Sequence, residues 1–128
     1  MTSDGLAWLA ENAKQEGIVV TDSGLQYMVI DSGDGATPGP TDTVLTHYHG
    51  TFIGGEVFDS SVDRGKPLEF QVNRVISGWS AALQLMQEGD KWKLFVPPKL
   101  GYGDRGTGAI PGNTVLIFEV TLLKVGKG

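Results

Sequence analysis

The spacing of apolar residues changes once along the chain. In the first seventeen residues Leu6, Leu9, Ala10 and Ala13 recur at the three- and four-residue intervals of one helix face. Ser3 or Asp4 is placed to cap such a helix, and Gly17 to stop it after Lys14. About three turns make a marginal helix with nothing to pack on. Trp8 lies off the stripe, so the segment carries more apolar surface than a solvated arm needs. It either packs on the body or ends a longer element.

From Leu25 onward the period is two, the period of strands whose side chains alternate between faces. Residues 25–30 read as a strand, followed by a polar, Gly/Pro-rich loop over 31–41. Residues 43–52 set Val44, Thr46, Tyr48 and Phe52 on one face, and Gly54-Gly55 supplies a hairpin turn. Phe58 and residues 68–72 mark short strands on either side of the polar segment 59–66. Trp79, Ala82, Leu83 and Met86 fall at i, i+3, i+4 and i+7, which predicts one short amphipathic helix ending at Gly89. Residues 91–96 place Trp92, Leu94 and Val96 on one face before Pro97-Pro98, and residues 114–124 do the same with Leu116, Phe118, Val120 and Leu122. The pattern predicts an α+β fold, an antiparallel sheet with one covered face and one short helix.

A length of 128 residues suits one domain, divided into a helical stub over 1–17 and a body over 18–128. Nineteen glycines and six prolines favour many turns and short strands over a helical bundle. The formal charge of −5 argues against a nucleic-acid partner, which needs a basic face. No apolar run is long enough to cross a bilayer, and Glu11, Asn12 and Lys14 interrupt any signal-like stretch near the start. The absence of cysteine removes disulfides and thiolate chemistry.

Several groupings invite a chemical reading. His47 and His49 point to the same face of a strand, but two imidazoles without a third ligand make polar outer-face residues rather than a metal site. Gly101, Gly103 and Gly106 spell G-x-G-x-x-G, yet Pro97-Pro98 precede and Ile110-Pro111-Gly112 come after, where a strand and a helix belong. Asp59, Ser60, Ser61, Asp63 and Arg64 form either a solvated turn in which Asp59 caps backbone amides, or a rim at which Asp59 pairs with Arg64. A serine nucleophile there lacks an oriented histidine base. The aromatic residues Tyr48, Phe58, Phe70, Trp79, Tyr102 and Phe118 carry the strongest signal. Tyr102 lies in a glycine-rich loop, where a tyrosine is expensive to bury unless it covers something. Residue physics alone reaches a binding module for an apolar ligand.

The same residues resemble the FKBP family of peptidyl-prolyl cis-trans isomerases. Val44-Leu45-Thr46-His47-Tyr48-His49-Gly50 is similar to its strand with a pocket tyrosine. Val57-Phe58-Asp59-Ser60-Ser61 and Arg64-Gly65-Lys66-Pro67 resemble its F-D-S-S stretch and the segment next to it. Val75-Ile76-Ser77-Gly78-Trp79, Gly89-Asp90-Lys91-Trp92, Pro97 to Gly103, Ile110-Pro111-Gly112-Asn113 and Leu116 to Val120 continue in family order. Residues 6–27 resemble the junction segment of the macrophage infectivity potentiator subgroup, in which a long helix carries an N-terminal dimerisation domain. Leu68, Gly101 and a short 106–110 loop depart from the common pattern and bear on substrate preference.

The resemblance implies a twisted antiparallel half-barrel wrapped around the 79–86 helix, with the site between helix and sheet. It implies a peptidyl-prolyl isomerase that holds the twisted X-Pro amide in an apolar pocket, without metal or cofactor. Phe58, Tyr48, Asp59 and Tyr102 are the expected catalytic residues, and Arg64, Phe70, Val75, Ile76, Trp79, Ile110 and Phe118 the further binding residues. Tyr102 would donate to a substrate carbonyl, the Ile76 amide would hold the carbonyl after proline, and Asp59, oriented by Tyr48 and Arg64, would face the rotating carbonyl. Proline-containing peptides and unfolded proteins are the implied partners, with tacrolimus- or rapamycin-like macrolides as ligands. A non-catalytic proline-peptide, macrolide-binding or chaperone module is the alternative. The chain as written is expected to be a monomer, and a dimer if an N-terminal domain precedes it. It is expected to be cytoplasmic if complete, and periplasmic or secreted if a signal and helix have been removed.

Overall fold

The computed structural model describes residues 2–126 apart from 104, 109 and 113, with the side chains of residues 2–6 and of Arg64 outside that description. The first helix, α1 (Thr2–Asn12), starts earlier than the capping pattern predicts, so Ser3 and Asp4 lie within its first turn. It does pack on the body. Leu9 is buried against Phe95, Val115 and Ile117, and the Trp8 ring sits 5.8 Å from that of Phe95. A buried amide pair completes the junction: Asn12 Nδ2 donates to Gln26 Oε1 at 2.8 Å, and Gln26 Nε2 donates to the Leu9 carbonyl at 2.9 Å.

Seven strands come next, in one antiparallel sheet: β1 (Val19–Val20), β2 (Gln26–Asp31), β3 (Thr43–Thr51), β4 (Val57–Ser60), β5 (Leu68–Gln71), β6 (Lys91–Val96) and β7 (Leu116–Gly126). The spatial order is β1-β2-β6-β7-β3-β4, and β5 also pairs with β3. Strand β3 alternates as its sequence predicts, burying Val44, Thr46, Tyr48 and Gly50. Two short α-helices, α2 (Ser61–Arg64) and α3 (Ser77–Leu83), and two single 3-10 turns, Val72–Arg74 and Pro98–Leu100, complete the described elements. Register breaks at Val29/Asp31, Leu45/Thr46 and Gly50/Thr51 insert an extra residue on one strand. Each such bulge adds local twist, which lets the sheet curl around α3. Trp79, Ala82 and Leu83 of α3 then meet Leu94, Leu116, Val120 and Leu122 in the main core.

Two expectations are corrected. The sheet has more than one covered face, because α1 lies over part of the outer side. Leu94, Phe95 and Val96 are consecutive and all buried, as strands covered on both faces are. The 79–86 helix stops at Leu83 rather than Gly89. The amides that would continue it find other acceptors: Glu88 N donates to Ala36 O at 2.9 Å and Gly89 N to Leu122 O at 2.8 Å. The buried Asp90 carboxylate takes the amides of Gln87 (2.8 Å) and Gly33 (2.6 Å). A Cβ on Gly33 would lie 2.2 Å from the Glu88 carbonyl, so only glycine admits this backbone contact. Met86 remains fully buried beyond the helix end.

Candidate active site

Strand β3 changes partner along one edge, from β5 at Thr43–Thr46 to β4 at His49–Thr51. The gap falls at His47 and Tyr48, and the junction of β4 and α2 fills it with the hydroxyls of Ser60 and Ser61. The Tyr48 amide donates to Ser61 Oγ at 2.8 Å, and the hydroxyls of Ser61 and Ser60 approach the Tyr48 carbonyl at 3.3 and 3.4 Å. Ser60 also caps α2 by accepting from Asp63 N at 3.0 Å, and Gly65, at φ 75°, closes the turn. The cap is therefore Ser60 and not Asp59, which is still in β4 opposite Gly50. Ser61→Ala is expected to leave the buried Tyr48 amide without its acceptor. A loss of about 1–3 kcal/mol in urea unfolding checks this.

The serines do have histidine partners, against expectation. Ser61 Oγ lies 2.8 Å from His47 Nδ1, and Ser60 Oγ 2.8 Å from His49 Nδ1. Asp63 Oδ1 lies 4.0 Å from that same His49 nitrogen. A relay needs serine and acid on opposite ring nitrogens, so this geometry braces α2 and performs no nucleophilic chemistry. Among the described residues no three His, Cys, Asp or Glu side chains group as metal ligands.

The bulge at Phe58 has the larger consequence. In a regular strand Phe58 and Asp59 would point to opposite faces; here both line one cavity. That cavity, about 440 Å³, is walled by Tyr48, Phe58, Asp59, Phe70, Arg74, Val75, Ile76, Trp79, Tyr102 and Phe118. Trp79, buried under it, meets Tyr48, Phe70 and Phe118 edge to face at 5.2, 5.5 and 5.3 Å. Phe58 stands edge to face on Phe118 at 5.4 Å and leans on Phe52 at 5.0 Å. A Cβ on Gly50 would lie 2.7 Å from the Phe58 ring and 3.0 Å from that of Phe118, so glycine in β3 lets both rings settle on the sheet. Tyr48 Oη donates to Asp59 Oδ2 at 2.7 Å, which turns the half-buried carboxylate into the wall. Tyr102 is 39% exposed at the rim.

Nine of the residues expected at the site thus share one cavity. Ile110 does not line it. Its side chain is buried in the core, because reciprocal hydrogen bonds between Thr107 and Ile110 fold the loop back there. The Arg64 side chain, and with it the expected Asp59–Arg64 pair, lies outside the described residues. Arg74 lines the cavity without being expected there; its one signal is its place directly before Val75-Ile76. Among the described residues no helix comes after the G-x-G-x-x-G run, and Gly106, at φ 68°, lies against the Ile110 carbonyl.

The model for the FKBP-type peptidyl-prolyl cis-trans isomerase family matches residues 35–123, and that for the domain amino-terminal to such isomerases matches residues 1–29. The chain is 55% identical over 126 residues to the FKBP-type 22 kDa peptidyl-prolyl cis-trans isomerase of Escherichia coli, covering 98% of this chain and 61% of that protein. The crystal structure of FkpA from Escherichia coli superposes with a TM-score of 0.94 at 41% identity, covering 98% of this chain and 59% of that one. A peptidyl-prolyl cis-trans isomerase structure from Pseudomonas syringae superposes with a TM-score of 0.92 at 31% identity, covering 98% and 93%. The antiparallel half-barrel around a short helix is thus the fold of these structures as well. With that match spanning most of its length, the chain belongs to the family of FKBP-type peptidyl-prolyl cis-trans isomerases.

Proposed function

We propose that this chain accelerates cis-trans rotation about X-Pro bonds in peptides and unfolded proteins. The observation that carries the reading is the aromatic cavity over Trp79, with one carboxylate, Asp59, held in its wall by Tyr48. Rotation of an amide must overcome about 18–20 kcal/mol of resonance. The twisted amide has lost conjugation and polarity, so an apolar cavity favours it over the planar ground state. No bond to the protein is formed. Phe58, Trp79, Phe70, Val75 and Phe118 supply the apolar surface; Asp59 faces the rotating carbonyl; Tyr102 at the rim donates to a substrate carbonyl. The Ile76 amide, just ahead of α3, receives the carbonyl after proline.

Tyr102→Phe removes one hydroxyl from an exposed loop residue. It is expected to weaken peptide binding by about 0.5–1.5 kcal/mol, up to roughly tenfold, with melting unchanged. Titration calorimetry with a proline peptide checks it. Tacrolimus- or rapamycin-like macrolides would compete for the same cavity. Residues 1–17 act as a junction to the isomerase body over 18–128. With Leu9 and Trp8 committed to the chain's own sheet, the 128 residues are expected to sediment as a monomer at micromolar concentration. The activity itself is tested on a refolding protein limited by X-Pro isomerisation, whose slow phase lasts tens of seconds. Catalytic amounts of the chain should shorten that phase; an unchanged phase would remove the assignment.

A further inference from the structure

The cavity wall carries one side chain that the isomerisation of a neutral peptide does not use. Arg74 ends a single 3-10 turn (Val72–Arg74) and is the sole Lys or Arg between Lys66 and Lys91. Its Nε donates to Gln71 Oε1 at 3.1 Å, which fixes the guanidinium by its inner nitrogen. Neither terminal nitrogen has a carboxylate or other acceptor among the described residues, although the group borders the same cavity as Trp79 and Tyr102. A guanidinium stays charged at all physiological pH and presents paired N–H groups to a carboxylate. The carboxylate that shares the cavity, Asp59, is half-buried and accepts from the Tyr48 hydroxyl, which holds it in place and leaves its charge.

We propose that Arg74 makes this site select proline peptides bearing a carboxylate close to the proline, either an acidic side chain or a nearby chain terminus. The inference rests on the isomerase reading of the cavity. Its sign is opposite to that of the whole-molecule field, because a formal charge of −5 attracts cationic peptides. At about 0.1 M salt charges further than ~10 Å are screened, so the two wall charges decide: the half-buried Asp59 repels a carboxylate deep in the cavity, and the exposed Arg74 attracts one at its edge. An exposed ion pair contributes modestly, which sets the expected preference at about two- to fivefold.

The test uses three peptides that differ only in Glu, Gln or Lys, placed in turn at each position from two before to two after the proline. Two further peptides end shortly after the proline in a free or an amidated C-terminus. Catalysed exchange is measured for each at 0.1 and 0.5 M salt. The expected result is Glu over Gln over Lys in kcat/KM at one position or more, or free over amidated terminus, and a smaller spread at high salt. Arg74→Glu should invert the Glu/Lys order and Arg74→Lys should keep its direction. Each ratio is taken within one variant, so a general loss of turnover cancels. Ratios of one in both series, or a preference for Lys that survives in the Arg74→Glu variant, overturn the proposal while leaving the isomerase reading intact. No acceleration of the Gln peptide by the wild-type chain overturns that reading instead, and the charge preference with it.

Discussion

Asp59→Asn is expected to lower kcat by about ten- to a hundredfold while KM changes little. The exchange keeps the shape of the side chain and an acceptor oxygen for the Tyr48 hydroxyl, now 2.7 Å from Oδ2. What it removes is the charge. Hydrogen bonds to charged groups contribute about 1.5–3 kcal/mol, and each 1.4 kcal/mol is a factor of ten. If the carboxylate acts on the carbonyl as it rotates, the loss falls on the transition state and appears in kcat. The field is weakly screened there, because Asp59 is half-buried beside Phe58 and Phe118. A structural role predicts a different outcome, with a lower melting temperature and unchanged turnover per folded molecule. Both quantities are measured on the same preparation. Normal turnover in folded Asp59→Asn would remove Asp59 from the chemistry.

The second large effect belongs to Trp79, where fold and site coincide. Its ring is 4% exposed and makes edge-to-face contacts with Tyr48, Phe70 and Phe118. Truncation to alanine opens a cavity under three rings and is expected to cost about 3–5 kcal/mol in urea unfolding. That is a large share of a typical domain's stability of about 5–15 kcal/mol. Trp79→Leu, a smaller truncation, serves for binding. The other tryptophans are placed elsewhere: Trp92 stacks on Tyr27 at 4.1 Å, and Trp8 leans on Phe95. A proline mimic should therefore change the fluorescence of Trp79 alone, and Trp79→Leu should lose both the change and most of the affinity. Retention of both in that variant would place ligand binding outside this cavity.

The features legible in the sequence are those set by local forces. Alternation in β3, and in β7 from Phe118 to Leu122, marks one buried face, so the inward residues there can be named from spacing alone. Tyr48 and Phe118 can be named for the same reason, whereas Tyr102 is marked by its place in a glycine-rich loop. The second covered face is written less plainly, in the unbroken apolar run Leu94-Phe95-Val96. Other features depend on partners far along the chain. The end of α3 is decided by Ala36 and Leu122, which capture amides that a helix pattern assigns to the helix. A bulge shifts strand parity by one residue, so the shared orientation of Phe58 and Asp59, and the transfer of the cap to Ser60, cannot come from period two. Ile110 turns to the core through a tight loop closure, and Arg74 reaches the wall from a short turn that no periodicity marks.

The central claim is that the folded chain lowers the barrier to X-Pro rotation at the cavity over Trp79. Exchange spectroscopy on a Leu-Pro peptide tests it most directly, because it measures both directions at equilibrium without a coupled enzyme. Uncatalysed exchange takes about tens to hundreds of seconds at 25 °C. With the wild-type chain at catalytic concentration the account predicts exchange fast enough to mix cis and trans signals, suppressed by a macrolide and reduced in Asp59→Asn. Exchange that stays at the uncatalysed rate, with the chain folded and the peptide bound, would contradict it.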